Sequence, residues 1–253
     1  MAGIDPLEHP SAPLGPGADL GPATAVVVGA HGGIGLALTQ ALQAQGRWRL
    51  VLGLGRRSQP ALDLTDEASI AAAAAQVQAD AARAGAPLRL AINAAGWLHG
   101  EGRQPEKSWQ NLDAASLHQS FALNAIGPAL LMKHFLPLLP REGRSVLACL
   151  SARVGSIGDN RLGGWYGYRA SKAALNQLVH TAAIELRRRQ PQALCVALHP
   201  GTVDTALSAP FARSGLAVQT PAECAERLLQ VIDGLQPEQS GGFFDHHGLA
   251  VPW

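Results

Sequence analysis

The sequence predicts a doubly wound α/β fold, one parallel β-sheet with helices on both faces. Three observations predict it. Short apolar, β-branched runs alternate with helix-patterned stretches along almost the whole chain, the signature of strand–helix–strand units. The first apolar run ends in a glycine-rich turn, Gly29-Ala30-His31-Gly32-Gly33-Ile34-Gly35, that opens directly into a helical pattern. The glycines, amides and hydroxyls with chemical potential cluster just after strand ends, where open α/β sheets hold their ligands.

The elements follow in order. Residues 23–29 form a buried strand ending in glycine. Residues 34–45 have helical spacing and stop at Gly46. Residues 48–54 are a second strand and 61–64 a short third. An alanine-rich helix comes next, which Thr65 or Asp66 can cap. Residues 88–93 are a fourth strand. A helix over 117–139 carries Pro128 as a kink or break. Residues 145–150 form a fifth strand, 165–189 a long helix and 193–198 a sixth strand. The helix over 221–233 has proline in its first turn, and 242–244 add a last edge strand. The whole reads as one Rossmann-type domain over residues 23–253, with connections of right-handed sense. Before it, residues 1–22 carry Pro6, Pro10, Pro13, Pro16 and Pro22 and read as a mobile tail without the pattern of a secretory signal.

Composition narrows the function. With 253 residues the chain can bury a large core, and 47% hydrophobic against 15% charged residues suits a soluble globular protein. A net charge of +1 argues against nucleic acid or an anionic membrane as the main partner. The alanine run over 71–75 is too short to span a bilayer. Cys149, Cys195 and Cys224 are widely spaced and odd in number, which fits a reducing cytoplasm. His246 and His247 lack acidic or thiol neighbours at ligand spacing, so no metal is assigned.

The sharpest chemical signal is Tyr168-Arg169-Ala170-Ser171-Lys172. Residues at i and i+4 share a helix face, so phenol and ammonium stand side by side. A free tyrosine titrates near pH ~10, and a neighbouring cation is expected to lower that value toward the range useful for proton transfer. Tyr166 has Ala170 at i+4 and lacks the cation.

The turn at Gly29, His31, Gly33, Ile34 and Gly35 joins strand to helix, with glycines that let the backbone approach a pyrophosphate at the helix N-terminus. A site for NAD(H) places an acid about 20 residues further on, to hold the ribose 2′-hydroxyl. No acidic residue occurs between Gly29 and Asp63; the second strand ends in Gly55-Arg56-Arg57-Ser58. Arginine forks bind phosphate, so NADP(H) is expected over NAD(H), with Arg56 ahead of Arg57 as the 2′-phosphate partner.

With these pieces in order, residues 23–250 resemble the short-chain dehydrogenase/reductase family. The resemblance rests on Gly29-x-x-x-Gly33-Ile34-Gly35, Asp63-Leu64, Asn93-Ala94-Ala95-Gly96, Asn124, Ser151, Tyr168-x-x-x-Lys172 and Pro200-Gly201-Thr202-Val203-Asp204-Thr205. Residues 151–176 and Gly241-Gly242-Phe243-Phe244-Asp245 are similar to the branch of C-factor-like signalling proteins and sniffer-type carbonyl reductases. The resemblance implies that Tyr168 protonates a carbonyl oxygen, that Lys172 supports it and binds the nicotinamide ribose, that Asn124 holds a relay water, and that Ser151 orients the substrate. It further implies that Asp63 and Leu64 contact adenine, that Asn93, Ala94 and Gly96 pass beside the adenine ribose, and that Pro200, Gly201, Val203 and Thr205 hold the nicotinamide amide. The partners it implies are a small carbonyl or alcohol and further copies of this chain, as homodimer or homotetramer through the helices over 117–139 and 165–189.

The serine departs from the family pattern. A gapless match to Gly155 sets Ser151 on the first of two usual serines and Ala152 on the second, which the family uses. Ser156 is the other candidate. The expected function is NADP-dependent carbonyl–alcohol oxidoreduction. The alternative is a cofactor-binding regulatory or signalling protein with little turnover. The substrate pocket is expected among Trp97, Leu98, residues 154–165 and residues 207–219.

Overall fold

The computed structural model describes residues 21–100, 102–208, 210 and 218–253; the tail over 1–20 and most of the segment 207–219 lie outside them. The α-helices and strands among the described residues run in this order. They are β1 (Thr24–Val28), α1 (Gly33–Ala44), β2 (Leu50–Leu54), α2 (Glu67–Ala84), β3 (Leu88–Asn93), α3 (Ala114–Phe121), α4 (Gly127–Phe135) and β4 (Ser145–Leu150). After these come α5 (Tyr166–Arg189), β5 (Ala193–His199), β6 (Thr202–Val203), β7 (Val218–Gln219), α6 (Pro221–Gly234) and β8 (Phe243–Asp245); a π turn over Ala122–Ile126 joins α3 to α4.

Six strands form one sheet in the order β2-β1-β3-β4-β5-β8, every neighbour parallel. Its strands are apolar on both faces because both are covered. One face packs Leu131, Phe135, Leu175 and Val179 from α4 and α5, with Ile70 and Val77 from α2. The other packs Leu38 and Leu42 of α1 against Leu228, Leu229 and Ile232 of α6. The chain winds to one side of β1 for β2 and to the other for β3. The crevice outside the carboxyl ends of β1 and β3 is therefore the switch point of the fold. Register places Val28 beside both Leu54 and Asn93, so the turns after three strands meet there.

Two sequence expectations are corrected. Residues 61–64 are not a strand: Leu62 and Leu64 are buried, but the backbone bonds locally, Leu62 N–H to Gly55 and Asp63 N–H to the Ser69 hydroxyl. The apolar alternation there reports burial of a loop, not pairing. The helix around Pro128 neither ends nor simply kinks; it passes through the π turn first. Proline has no N–H to give the carbonyl four residues back, which is Asn124, and the wider turn absorbs that mismatch. The stretch Ala114–Leu138 is long and apolar enough to cross a bilayer by composition, yet α4 lays Leu131, Met132 and Phe135 into the core. Asp66 is the cap of α2, accepting from Ala68 N–H at 3.0 Å. The two-residue pair β6–β7 was not legible in the sequence.

Candidate active site

α5 carries Tyr168 and Lys172 across the carboxyl end of β4. Lys172 is 3% exposed, and its Nζ lies 5.8 Å from the centre of the Tyr168 ring. That Nζ donates to the carbonyl of Leu150, the last residue of β4, at 2.8 Å. α5 can sit this low because Gly155 has no side chain; a Cβ there would stand 2.8 Å from the Lys172 Cβ. Burial pushes Tyr168 up to about 12 and pulls Lys172 down to about 8. The expectation that the cation would lower the phenol is thus reversed in the protein alone. Desolvation penalises both charged forms, and the ammonium spends a hydrogen bond on Leu150. Tyr168 keeps part of its surface open.

The π turn aims Asn124 at the same place. Its Oδ1 accepts from Trp97 N–H at 2.8 Å, and its Nδ2 donates to the Trp97 carbonyl at 2.8 Å and the Ser171 hydroxyl at 3.2 Å. A Cβ on Gly96 would lie 3.4 Å from Asn124 Oδ1 and 3.5 Å from Lys172 Nζ. So the turn after β3, the π turn and α5 converge on one spot with Asn124, Gly96, Tyr168 and Lys172 around it.

The serines behave differently. Ser151 is buried and donates to Asn176 Oδ1 at 2.6 Å. A hydroxyl has one proton, so while this bond holds Ser151 can only accept. Ser156, also buried, accepts from Asp159 N–H at 3.1 Å. Asn176 was missed in the sequence. Its position at Lys172+4 on the same helix face was the available signal.

The glycine turn is built by close approaches. Gly29 has φ +82°, and a Cβ there would meet Ala95 N at 2.8 Å; one on Gly35 would meet the Gly29 carbonyl at 2.1 Å. Gly33 faces the Thr205 methyl, where a Cβ would sit at 2.8 Å, which brings the turn after β5 to the start of α1. α1 has no side-chain cap, whereas Asp66, Asp113 and Thr220 cap α2, α3 and α6. Its first-turn N–H groups and Ile34 face the switch point without an anion of the protein's own. His31 lies over the end of β2, its Nδ1 3.1 Å from where a Gly55 Cβ would be.

Arg56 and Arg57 are both exposed just beyond. Asp63 accepts from the Thr65 N–H and hydroxyl, which hold its carboxyl below the ordinary range, with Arg56 adding to this. The Leu64 side chain is turned into the core. Asn93 Oδ1 accepts from Ala95 N–H at 3.2 Å, while its side-chain amide lies buried against the Cys149 thiol. Ala94 N–H continues the ladder to Val28. Pro200 accepts from Gln219 Nε2 at 2.6 Å, Gly201 has φ +78°, and Val203 is buried beneath. The uncapped helix and the glycine cradle fit a dinucleotide. Two clefts of roughly 340 and 540 Å³ lie elsewhere, beside Val77 and Pro137 and beside Arg227 and His246.

Comparison with known proteins identifies the family and the fold. The family model for short chain dehydrogenases matches residues 23–214. The chain is 32% identical over 241 residues to 1-hydroxy-2-glutathionyl-2-methyl-3-butene dehydrogenase of Rhodococcus sp. strain AD45, covering 91% of this chain and 99% of that protein. It is 41% identical over 145 residues to C-signal of Myxococcus xanthus, covering 56% of this chain and 82% of that one. Among solved structures, the NADPH-bound carbonyl reductase from chicken fatty liver superposes with a TM-score of 0.79 at 30% identity. The match covers 92% of this chain and all (100%) of that one. Carbonyl reductase Sniffer of D. melanogaster shares the fold at TM-score 0.79 and 23% identity, over 92% and 100% of the two chains.

Proposed function

The chain belongs to the short chain dehydrogenase family, and from that footing we propose that it is an NADP-dependent oxidoreductase interconverting a carbonyl and an alcohol. The observation that carries this reading is the convergence of Tyr168, Lys172 and Asn124 beside Gly96, at the ligand-binding edge of the sheet.

When bound, the nicotinamide supplies the hydride. Gly29, His31, Gly33, Ile34 and Gly35 hold the pyrophosphate. Arg56 takes the 2′-phosphate, Asp63 and the Leu64 backbone meet the adenine, and Asn93, Ala94 and Gly96 line the adenine ribose. Pro200, Gly201, Val203 and Thr205 hold the carboxamide. Tyr168 keeps its proton at neutral pH, because burial raises it, and gives it to a carbonyl oxygen as negative charge develops there. Lys172, once its ammonium turns from the Leu150 carbonyl, would stabilise the resulting phenolate. A water at the Asn124 carbonyl, which Pro128 leaves without its regular helical donor, restores the proton through Lys172. Ser151 orients the carbonyl once it releases Asn176, and Ser156 is the alternative donor. Ile126 on the π turn and Leu178 and Ile184 on α5 are exposed large apolar residues, which supports a homodimer or homotetramer built on these helices. Three buried free cysteines suit the cytoplasm.

The test is NADPH oxidation across aldehydes, ketones and quinones. The expected result is turnover on part of the panel, lowered about 10³-fold by Tyr168→Phe, with cofactor binding retained. One observation favours a second reading, a cofactor-binding regulator: Ser151 spends its proton on Asn176, and Ala152 stands at the usual serine position. Tight NADPH binding without turnover on any substrate supports the regulator and overturns the enzyme.

A further inference from the structure

Trp165 precedes α5 and has φ +53°, the one non-glycine residue with positive φ among the described residues. A bulky side chain in that region carries strain, and such strain persists where surrounding structure enforces it. Here it is enforced from three sides. Gly163 and Gly164 before it are also left-handed, with φ +62° and +65°. The Trp165 N–H donates to the Glu106 carbonyl, and the Glu106 carboxylate accepts from Gly167 N–H at 3.1 Å. Arg169 reaches back from α5 to the carbonyls of Gly163 and Gly164 at 3.0 and 2.9 Å, and to Val154 at 3.3 Å. The result holds the indole edge-on to Tyr168, ring centroids 6.2 Å apart at 70°. Both residues are partly exposed.

We propose that Trp165 is the substrate-recognition residue of this site, an aromatic wall beside the Tyr168 hydroxyl that selects carbonyls bearing a flat apolar group, aryl or conjugated, next to the reacting carbon. This rests on the oxidoreductase reading and gives it a substrate class. A structural ring would be served without strain by the commoner backbone and deeper burial. This one is held in an uncommon conformation, partly exposed, edge-on to the acid–base group. The connection that presents it carries two further apolar side chains almost wholly in solvent, Ile157 at 77% and Leu162 at 87% exposed. Glu106 is a positioning residue: it touches neither phenol nor substrate and acts by fixing Trp165 and the first turn of α5.

The experiment compares kcat/KM for an aryl aldehyde and a short aliphatic aldehyde in the parent, Trp165→Phe and Trp165→Gly. Glycine removes the ring but accepts the left-handed backbone, so the fold is retained and thermal unfolding checks it. The expected result is that Trp165→Gly lowers the aryl-to-aliphatic ratio about tenfold, chiefly through KM, as the loss of an aromatic contact predicts. Trp165→Phe restores most of it. An unchanged ratio in a turning-over, folded Trp165→Gly overturns the recognition role and leaves the oxidoreductase reading standing. No turnover by the parent on any carbonyl overturns that reading and the recognition role with it.

Discussion

Burial pulls Tyr168 and Lys172 in opposite directions, and the lysine leaves a signature in stability. Lys172 titrates at about 8 in the folded chain, against about 10.5 for a free lysine. Below pH 8 both states hold the proton, and the cost of burying the ammonium is fully present. Between 8 and 10 the native state sheds its proton first, so stability rises, by roughly 2 kcal/mol. Tyr168, raised to about 12, loses its contribution only above pH ~10, outside this window. The thiols of Cys149, Cys195 and Cys224, all raised by burial, lower stability over the same window in both proteins. Urea midpoints measured from pH 8 to 10 should therefore fall less steeply for the parent than for Lys172→Met; equal slopes would contradict the assignment. At the other end of the crevice, Arg56→Ala is expected to weaken NADPH binding by tenfold or more and NADH little, because only NADPH carries the phosphate. Titration by cofactor fluorescence reads both, and equal losses would remove Arg56 from that role. The Tyr–Lys pair and the glycine turn were legible in the sequence because each is local, a four-residue spacing or a run. The Ser151–Asn176 bond and the Glu106 contact to α5 span 25 and 61 residues, and no local pattern encodes them.

Elements of five residues or more were legible where burial and pairing coincide; β6 and β7, two residues each, were too short to leave a pattern. β3 and β4 stand where the apolar runs put them, and α5 begins one residue later than its pattern. The reading failed where they separate: the loop over 61–64 is apolar because it packs, and the π turn depends on what Pro128 withholds from a preceding carbonyl. α5 begins without a cap of its own, so the Glu106 carboxylate supplies the acceptor for Gly167 N–H. Glu106→Ala should cost about 1 kcal/mol, the usual worth of a helix cap, and lower the melting temperature by about 2–4 °C. Glu106→Gln keeps an acceptor oxygen and should lose less. Equal melting curves for parent and Glu106→Ala would show that the contact holds nothing.

At the scale of the molecule, the sheet order could be reasoned toward from alternation and handedness, but self-association could not, since it depends on which apolar side chains remain outside. Light scattering of the purified protein should give two or four times the 26.3 kDa chain mass. Ile126→Glu with Ile184→Glu, both about half exposed on the helical face, should lower it to one. A parent already at the single-chain mass would rule out the assembly.

The bare start of α1 has a consequence for how long such a chain survives. Three of its sister helices close their own ends with a side chain; this one does not, and a phosphate bound there would supply the missing acceptor. Whatever seats a phosphate there binds the native state alone and adds its affinity to the folding equilibrium. Resistance of this polypeptide to proteases and heat should then rise as nucleotide is added.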